Sequence, residues 1–234
     1  MSTPPDVLAA MLRSDPARPR VTYYDDTPGP TAGERIELSA KVLANWVNKA
    51  ANALQEEWDL APGARVRLAL PPHWRTLYWA LAAWSVGVTV TLVDSPADLV
   101  LTDDVSLPTD GAPMVLVTLA ALARSASPPV PAGVMDEAGE LATYADQFSP
   151  WDAPAPGQLA LEAPGSRWTY ADIVPASAWA AGTRLHSGTD DVARVLVDAL
   201  AVWAVDGSLV LSRGPVPAAG REARCAAEGV TLER

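Results

Sequence analysis

The chain has 234 residues, which is enough for one large domain or two small ones with a substantial core. Its 17 Lys and Arg residues are outnumbered by 28 Asp and Glu residues, so the net charge at pH 7 is -11. This charge opposes binding to nucleic acid and to anionic membrane surfaces, and we expect neither as a partner. The net charge does not exclude a small nucleotide as a ligand, because a nucleotide needs only a local binding site.

Cysteine content and the first residues narrow the cellular setting. The single cysteine, Cys225, excludes an intramolecular disulfide and a metal cluster built from cysteines. Residues 1–16 lack the long apolar core of a signal peptide, and no apolar run approaches the roughly 20 residues that cross a membrane. We therefore expect a cytoplasmic protein.

The first elements are a short helix and a hairpin, followed by a long amphipathic helix. Residues 5–13 predict the short helix, and strands 20–24 and 36–38 flank a turn rich in proline and glycine. Apolar side chains then recur at helical spacing over residues 42–54. Residues 60–63 (LAPG) end this helix.

A strand, a helix and a second strand come next. Residues 65–70 alternate charged and apolar side chains as a strand does, and residues 74–86 carry a helical apolar stripe that ends at Gly87. Residues 88–93 are rich in β-branched side chains. This order in so short a span predicts a right-handed crossover between parallel strands.

The remaining elements suggest a division of the chain near residue 150. Strands are predicted at 97–103 and 114–118, a short helix at 119–124 and a helical turn within 136–151, before a proline-rich stretch at 150–157. We expect a first α/β half with the N-terminal hairpin over residues 1–150. A second, shorter half over residues 151–234 is expected to complete one compact unit.

The second half repeats the pattern of the first. Strands are predicted at 159–162, 183–186 and 208–212, with a helix over 192–203 capped by Asp190 or Asp191. Residues 168–174 match residues 37–43, and each stretch is followed by an alanine-rich run read as a helix. We expect strands 159–162 and 208–212 to share one sheet, equivalent to the sheet of the first half.

A family resemblance rests on the order and spacing of several short stretches. They are Tyr23-Tyr24-Asp25, Leu38-Ser39, residues 60–66 (LAPGARV), Pro71-Pro72-His73-Trp74, Gly87, Asp94-Ser95-Pro96 and residues 97–103. Together they resemble the N-terminal domain of the adenylate-forming (AMP-binding) superfamily, which includes the acyl-CoA synthetases. The resemblance covers about the first hundred residues best. It implies an α/β fold of two similar halves, with mainly parallel sheets flanked by helices.

The chain departs from this family where the chemistry should lie. The family carries a phosphate-binding loop of the kind TSGTTGxPKG after a strand, and a lysine there offsets phosphate charge. Here strand 159–162 is followed by residues 163–167 (APGSR), with one glycine and no lysine. Two carboxylates, Asp190 and Asp191, stand where the family has an aromatic or histidine patch. The later YGxTE motif, ribose-binding aspartate and C-terminal lysine are not found before Arg234, so we expect a truncated pseudoenzyme without catalytic residues.

Seven residues are candidate ligand contacts at the carboxyl ends of strands. They are His73, Trp74, Asp94, Ser95, Gly165, Ser166 and Arg167. The alternatives are a turn histidine without function for His73, core filling for the tryptophans and a surface arginine for Arg167. No metal ligands are predicted. No cofactor is expected, with ATP, AMP or CoA as the alternative.

The sequence therefore predicts a non-catalytic, acyl-CoA synthetase-like protein that binds a small ligand or a partner. One alternative is an AMP-forming, acyl-activating ligase completed by a partner chain, and another is a structural subunit without ligand. We also expect a homodimer or a complex with a partner protein. This expectation assumes that apolar side chains of residues 195–203 and 209–211 lack part of their cover within one chain.

Overall fold

The computed structural model describes residues 2–176 and 178–234. In chain order its elements begin with α1 (Pro4–Ser14), β1 (Pro19–Asp25), β2 (Arg35–Ser39), α2 (Ala40–Trp58), β3 (Arg65–Ala69), α3 (Trp74–Val86), β4 (Thr89–Thr91), β5 (Leu99–Thr102), β6 (Met114–Leu116) and β7 (Val134–Asp136). They continue with α4 (Glu137–Glu140), a 3-10 turn (Leu141–Thr143), β8 (Leu159–Ala163), β9 (Ser166–Thr169), β10 (Arg184–Ser187), α5 (Val192–Ala204), β11 (Ser208–Arg213), α6 (Ala218–Ala227) and β12 (Leu232–Glu233). None of the described helices combines the length and the apolar character needed to cross a membrane.

Two mixed sheets, both mainly parallel, organise the molecule. The seven-stranded sheet has the order β7-β6-β5-β3-β4-β8-β9 and is parallel except for the pairing of β8 with β9. The five-stranded sheet has the order β12-β10-β11-β1-β2 and is parallel except for the pairing of β1 with β2. The predicted α/β class is confirmed, and so is the parallel pairing of β3 and β4 on either side of α3.

The sheets do not follow the division expected near residue 150. Strand β8 pairs with β4, with Leu161 opposite Val90, whereas β11 pairs with β1, with Leu209 opposite Val21. The prediction that strands 159–162 and 208–212 share a sheet is therefore wrong. A repeated strand pattern predicts which residues are extended. It does not predict which of the two sheets each strand joins, because that depends on tertiary packing. The division at residue 150 stays a prediction, and both sheets cross it.

Helix α3 forms the centre of the core. Its residues are buried except for the half-buried Ser85, as expected for a helix that is apolar nearly all round. It ends at Gly87, whose φ of 91° belongs to the left-handed region. An added Cβ there would lie 2.9 Å from a side-chain carbon of Pro62 and 3.0 Å from one of Pro154. The sequence prediction of a C-terminal glycine is confirmed, and close packing adds a second reason for it.

Two predicted helices are not present. Residues 119–124 form turns, and Leu122 is 90% exposed, because a run this short has too few helical hydrogen bonds to offset nucleation. The alanine-rich run after residue 174 contains no helix within 175–176 and 178–182, where Pro175 and Gly182 disfavour one. Position 177 of that run lies outside the described residues.

The assumption behind the expected dimer is also wrong. Leu196, Leu200, Trp203 and Leu211 are at most 2% exposed within the single chain. Helix α1 packs against α5, and β11 lies inside the sheet between β10 and β1. The homodimer or partner complex stays a prediction without this support.

Candidate functional site

The turn between β8 and β9 occupies the place where the sequence analysis expected a phosphate loop. Ala163 and Ser166 are register partners in the antiparallel pair, so only Pro164 and Gly165 remain in the turn. Gly165 has a φ of 73°, which glycine adopts without strain. Proline followed by glycine at positive φ is typical of a type II turn. The segment is therefore a closed hairpin tip rather than an open loop.

An ion-pair cluster lies directly behind this tip. Glu162 accepts hydrogen bonds from the guanidinium groups of Arg65 and Arg167, with Arg167 Nε 2.9 Å from Glu162 Oε1. These bonds, the one from Arg65 above all, lower the pKa of Glu162 below its usual value. Because Arg167 is already engaged by Glu162, its charge is partly compensated before any anion arrives.

Four of the seven predicted site residues lie at this cluster, and a fifth, Asp94, lies in the adjoining loop. Arg65 also donates to Ser95 Oγ at 3.2 Å, which ties the loop after β4 to the hairpin. In the same loop, Asp94 Oδ1 lies 2.6 Å from Arg67 Nη1. Gly165, Ser166 and Arg167 line a cavity of about 440 Å³ that also contacts Val93. Gly165, Ser166 and Arg167 thus share one cavity, and Asp94 and Ser95 lie in the loop that arginines of β3 hold beside it.

The other two predicted residues lie in the core. His73 is 0% exposed and Trp74 is 3% exposed. His73 caps α3 by accepting a hydrogen bond from the Arg75 backbone N–H at 3.1 Å, and its ring lies edge-on to Tyr23 with centroids 4.5 Å apart. Burial, with a smaller contribution from Arg75, lowers the pKa of His73 to about 3. His73 is therefore a neutral helix cap, and the structure does not bring it to the hairpin.

A cleft runs between the hairpin tip and the beginning of α5. We call it the hairpin cleft and define it by residues that line its main cavity of about 560 Å³: Pro164, Ser166, Asp191, Ala193, Arg194 and Asp198. A neighbouring cavity of about 350 Å³ shares Pro164 and reaches the ends of β3 and β4 at Leu70 and Leu92. The cleft therefore lies at the carboxyl ends of parallel strands, where open α/β sheets place ligands.

Charges of both signs line the hairpin cleft. Asp191 caps α5 by accepting from the Arg194 backbone N–H at 3.2 Å, which confirms one of the two predicted caps. Asp198 is only 4% exposed, and its Oδ1 lies 2.6 Å from Arg234 Nη1. Capping by Asp191 occupies a helix N–H group that an anion would otherwise use. The cleft thus offers paired charges to a small polar ligand rather than a free cationic site.

Sequence reasoning missed Arg65, Glu162 and Asp198. Arg65 and Glu162 lie 97 positions apart, and Glu162 stands alone among the apolar residues of its strand. A lone carboxylate in a buried strand was the available signal, because such a group needs a charged partner. That Arg65 is this partner becomes clear only once β3, β4 and β8 are paired in the sheet.

Known proteins resemble this chain in sequence and in fold. No family model matches the chain. A TIGR03089 family protein of Mycobacterium tuberculosis (strain ATCC 25618 / H37Rv) is 35% identical over 246 residues, covering 96% of this chain and 95% of that protein.

Solved structures share the fold at low sequence identity. The N-terminal domain of FACL13 from Mycobacterium tuberculosis matches with a TM-score of 0.71 and 13% identity, over 100% of this chain and 62% of that one. An acyl-CoA synthetase from Brucella canis matches with a TM-score of 0.70 and 13% identity, over 97% of this chain and 46% of that one. The chain therefore spans about half to three-fifths of the length of these structures.

These matches bear out the resemblance found in the sequence. The structural neighbours also include an adenylation domain from Klebsiella oxytoca, which shows that the fold extends beyond acyl-CoA synthetases. The fold is that of the N-terminal domain of the adenylate-forming superfamily. By sequence, the chain belongs to the TIGR03089 family.

Proposed function

We propose that the chain is a non-catalytic relative of the acyl-CoA synthetases that holds a small polar ligand in the hairpin cleft. The observation that carries this proposal is the two-residue turn of Pro164 and Gly165 between β8 and β9. The proposal also draws on the family membership and on the position of the cleft at the carboxyl ends of β3 and β4.

The hairpin tip has few groups that could hold a phosphate. Phosphate loops bind through several backbone N–H groups and a lysine. Pro164 has no N–H group, and Ser166 is paired with Ala163 in the hairpin. Arg167, the nearest cation, already bonds Glu162. With these groups absent or engaged, little stabilisation is available for the charge that develops during adenylate formation.

The hairpin cleft has the properties of a ligand site. Its cavity of about 560 Å³ falls within the range of about 300–1,000 Å³ that is usual for small-molecule pockets. Trp168 and Val197 supply apolar contact area, while Asp191, Arg194 and Arg234 supply donors and acceptors. This mixture favours a small molecule with both polar and apolar parts over a polyphosphate.

The catalytic part of the proposal is tested by ATP–pyrophosphate exchange. The purified chain is assayed with a panel of aliphatic and aromatic carboxylic acids, beside an active acyl-CoA synthetase as the positive control. We expect exchange at the level of the protein-free blank for every acid. Robust exchange by the chain alone would overturn the proposal. Exchange that needs an added second protein would favour the alternative of a ligase completed by a partner.

The binding part is tested by a thermal-shift screen with ATP, AMP, CoA, acyl-CoAs and small carboxylic acids. A ligand present at a hundred times its dissociation constant stabilises the native state by about 2.7 kcal/mol. The variant Ser166→Trp fills the cleft and should abolish the shift of any ligand bound there. Ala10→Trp on the exposed face of α1 is the matched control and should preserve it. Equal shifts in both variants would place the ligand elsewhere.

We also propose that the chain works in the cytoplasm and associates with itself or with a partner. Light scattering at micromolar concentration tests the association. A mass of one chain that is unchanged on dilution, with no partner retained through purification, would contradict it.

A further inference from the structure

Three side chains with metal-ligand atoms meet at the outer edge of the five-stranded sheet, beside a cavity that shares only Arg234 with the hairpin cleft. His186 lies in β10, Glu233 is its register partner in β12, and Cys225 lies in α6 beside them. One ligand atom from each lies within 4.8 Å of the other two. We propose that His186, Cys225 and Glu233 bind a divalent cation of the zinc class.

The distances suit a tetrahedral ion. His186 Nδ1 lies 3.6 Å from Glu233 Oε2, and Cys225 Sγ lies 3.2 Å from the same oxygen. Zinc bonds of about 2.0–2.3 Å at tetrahedral angles place neighbouring ligand atoms about 3.3–3.6 Å apart. Two of the three distances therefore already fit, and the third, between the ligand atoms of His186 and Cys225, lies within 4.8 Å. The cation replaces the thiol proton that Cys225 now donates to Glu233.

The histidine provides an independent indication of a ligand. The His186 side chain is only 3% exposed, and its Nδ1 has no hydrogen-bond partner among the described residues. Buried polar atoms are rarely left without a partner, because desolvation without a new bond costs free energy. The other ring nitrogen, Nε2, lies 3.1 Å from Ser212 Oγ. This contact fixes the ring with Nδ1 directed at Glu233, as partners behind metal-bound histidines do.

The ligand types select the ion. A thiolate with an imidazole favours zinc and similar borderline-soft ions over magnesium or calcium, which prefer oxygen ligands. Three protein ligands leave a fourth position for water or another small ligand. A cavity of about 340 Å³ opens beside His186 and Glu233 and gives a cation access to the site.

Two arginines near the site oppose a cation to different degrees. Arg224 is held by Asp26 through bonds of 2.7 and 2.9 Å, which compensate its charge. Arg221 Nε lies 3.4 Å from Glu233 Oε2, and its side chain is 48% exposed. Arg221 therefore competes with the cation for Glu233 but can move into solvent. Removing this competitor should tighten metal binding.

The test is a titration of the full chain with Co²⁺, which reports its ligands through absorption. We expect saturable binding of one ion per chain, a thiolate-to-cobalt charge-transfer band in the near ultraviolet, and displacement by Zn²⁺. Cys225→Ser should abolish the band, and Cys225→Ser and Glu233→Gln should each weaken binding by at least about tenfold. Arg221→Gln should bind more tightly than the unsubstituted chain.

Glu222→Gln is the matched control, since Glu222 is exposed on the same helix outside the cluster. Circular dichroism establishes that each variant keeps its fold, and the ligands substituted here are the two nearer the surface. The absence of a charge-transfer band at saturating Co²⁺ would overturn the proposal. So would affinities of Cys225→Ser and Glu233→Gln equal to that of Glu222→Gln.

Discussion

Two arginine–glutamate clusters use the same chemistry in opposite surroundings. In the core, Arg75 Nη1 lies 2.8 Å from Glu137 Oε1, with Arg75 only 4% and Glu137 0% exposed in their side chains. At the hairpin, Glu162 is shared by Arg65, which is 31% exposed, and Arg167, which is 72% exposed. The buried pair cannot lose one partner without stranding a charge, whereas the surface cluster can exchange a partner for water.

The buried charges hold elements of the core together, whereas the surface charges can change partners. Tyr78 also donates to Glu137, so the buried carboxylate joins α3 to α4 within the core. The surface cluster joins the hairpin tip to β3 and to the loop after β4 and lies beside a cavity. Ligand-dependent changes are therefore expected at Glu162 and Arg167 and not at Glu137.

The largest effect should follow from breaking the buried pair. Glu137→Ala leaves the Arg75 charge without a partner in the core, and we expect a loss of about 3–5 kcal/mol in the free energy of unfolding. Urea denaturation measures this loss. Glu140→Ala, at an exposed position of the same helix, is the control and should cost much less. Similar losses in the two variants would contradict the view that burial decides the effect.

Replacing both members of the buried pair should cost less than removing one. The double variant Arg75→Met/Glu137→Leu leaves no buried charge, and apolar replacements of buried ion pairs are often neutral or stabilising. We expect its free energy of unfolding to lie clearly above that of Glu137→Ala. If the double variant were as unstable as Glu137→Ala, the ion pair would contribute stability beyond offsetting the cost of burying its two charges.

The surface cluster should tolerate the loss of its carboxylate. Glu162→Gln removes a partly exposed pair, and we expect a cost of at most about 1 kcal/mol. Added salt should reduce the difference between Glu162→Gln and the unsubstituted chain, because salt screens exposed charges. Urea denaturation at low and high ionic strength measures both effects. A loss as large as that of Glu137→Ala would remove the distinction between the clusters.

The smallest effect is a difference in pH dependence. Hydrogen bonds from Arg65 and Arg167 lower the pKa of Glu162 below its ordinary 4.5, so its contribution is complete above that pH and is lost as the pH falls through the folded value. Burial raises the pKa of Glu137, so its contribution to stability changes with pH in the opposite direction and falls as the pH rises. The stability difference between the unsubstituted chain and Glu162→Gln should therefore shrink below about pH 4.5. A difference independent of pH would contradict the assigned bonds.

Local periodicity explains what the sequence could predict. The helices at 42–54 and 74–86 and the strands at 65–70 and 88–93 follow from patterns within a dozen residues, and all four are present. Ser95, in the loop after β4, and the hairpin residues Gly165, Ser166 and Arg167 were predicted from their places after strands. His73 occupies an equivalent place, but the second sheet covers it through Tyr23 of β1, which no local pattern reveals.

What could not be predicted depends on contacts distant in the chain. The sheet that β8 joins, the pairing of Arg65 with Glu162 and the approach of Cys225 to His186 all require the finished topology. The family resemblance supplied the fold class but not these partners, because chains of 13% identity share strand order and few side chains.

The position of β1 also constrains how the protein is made. Val21 pairs with Leu209, so β1 lies beside a strand that is synthesised long after it. During translation the hairpin of β1 and β2 emerges with one parallel edge open, and that edge stays open until β11 leaves the ribosome. Such non-local pairing slows folding and leaves an exposed strand edge open to other nascent chains. The seven-stranded sheet, whose last strand ends at Thr169, can complete itself first and serve as the surface on which the second sheet assembles.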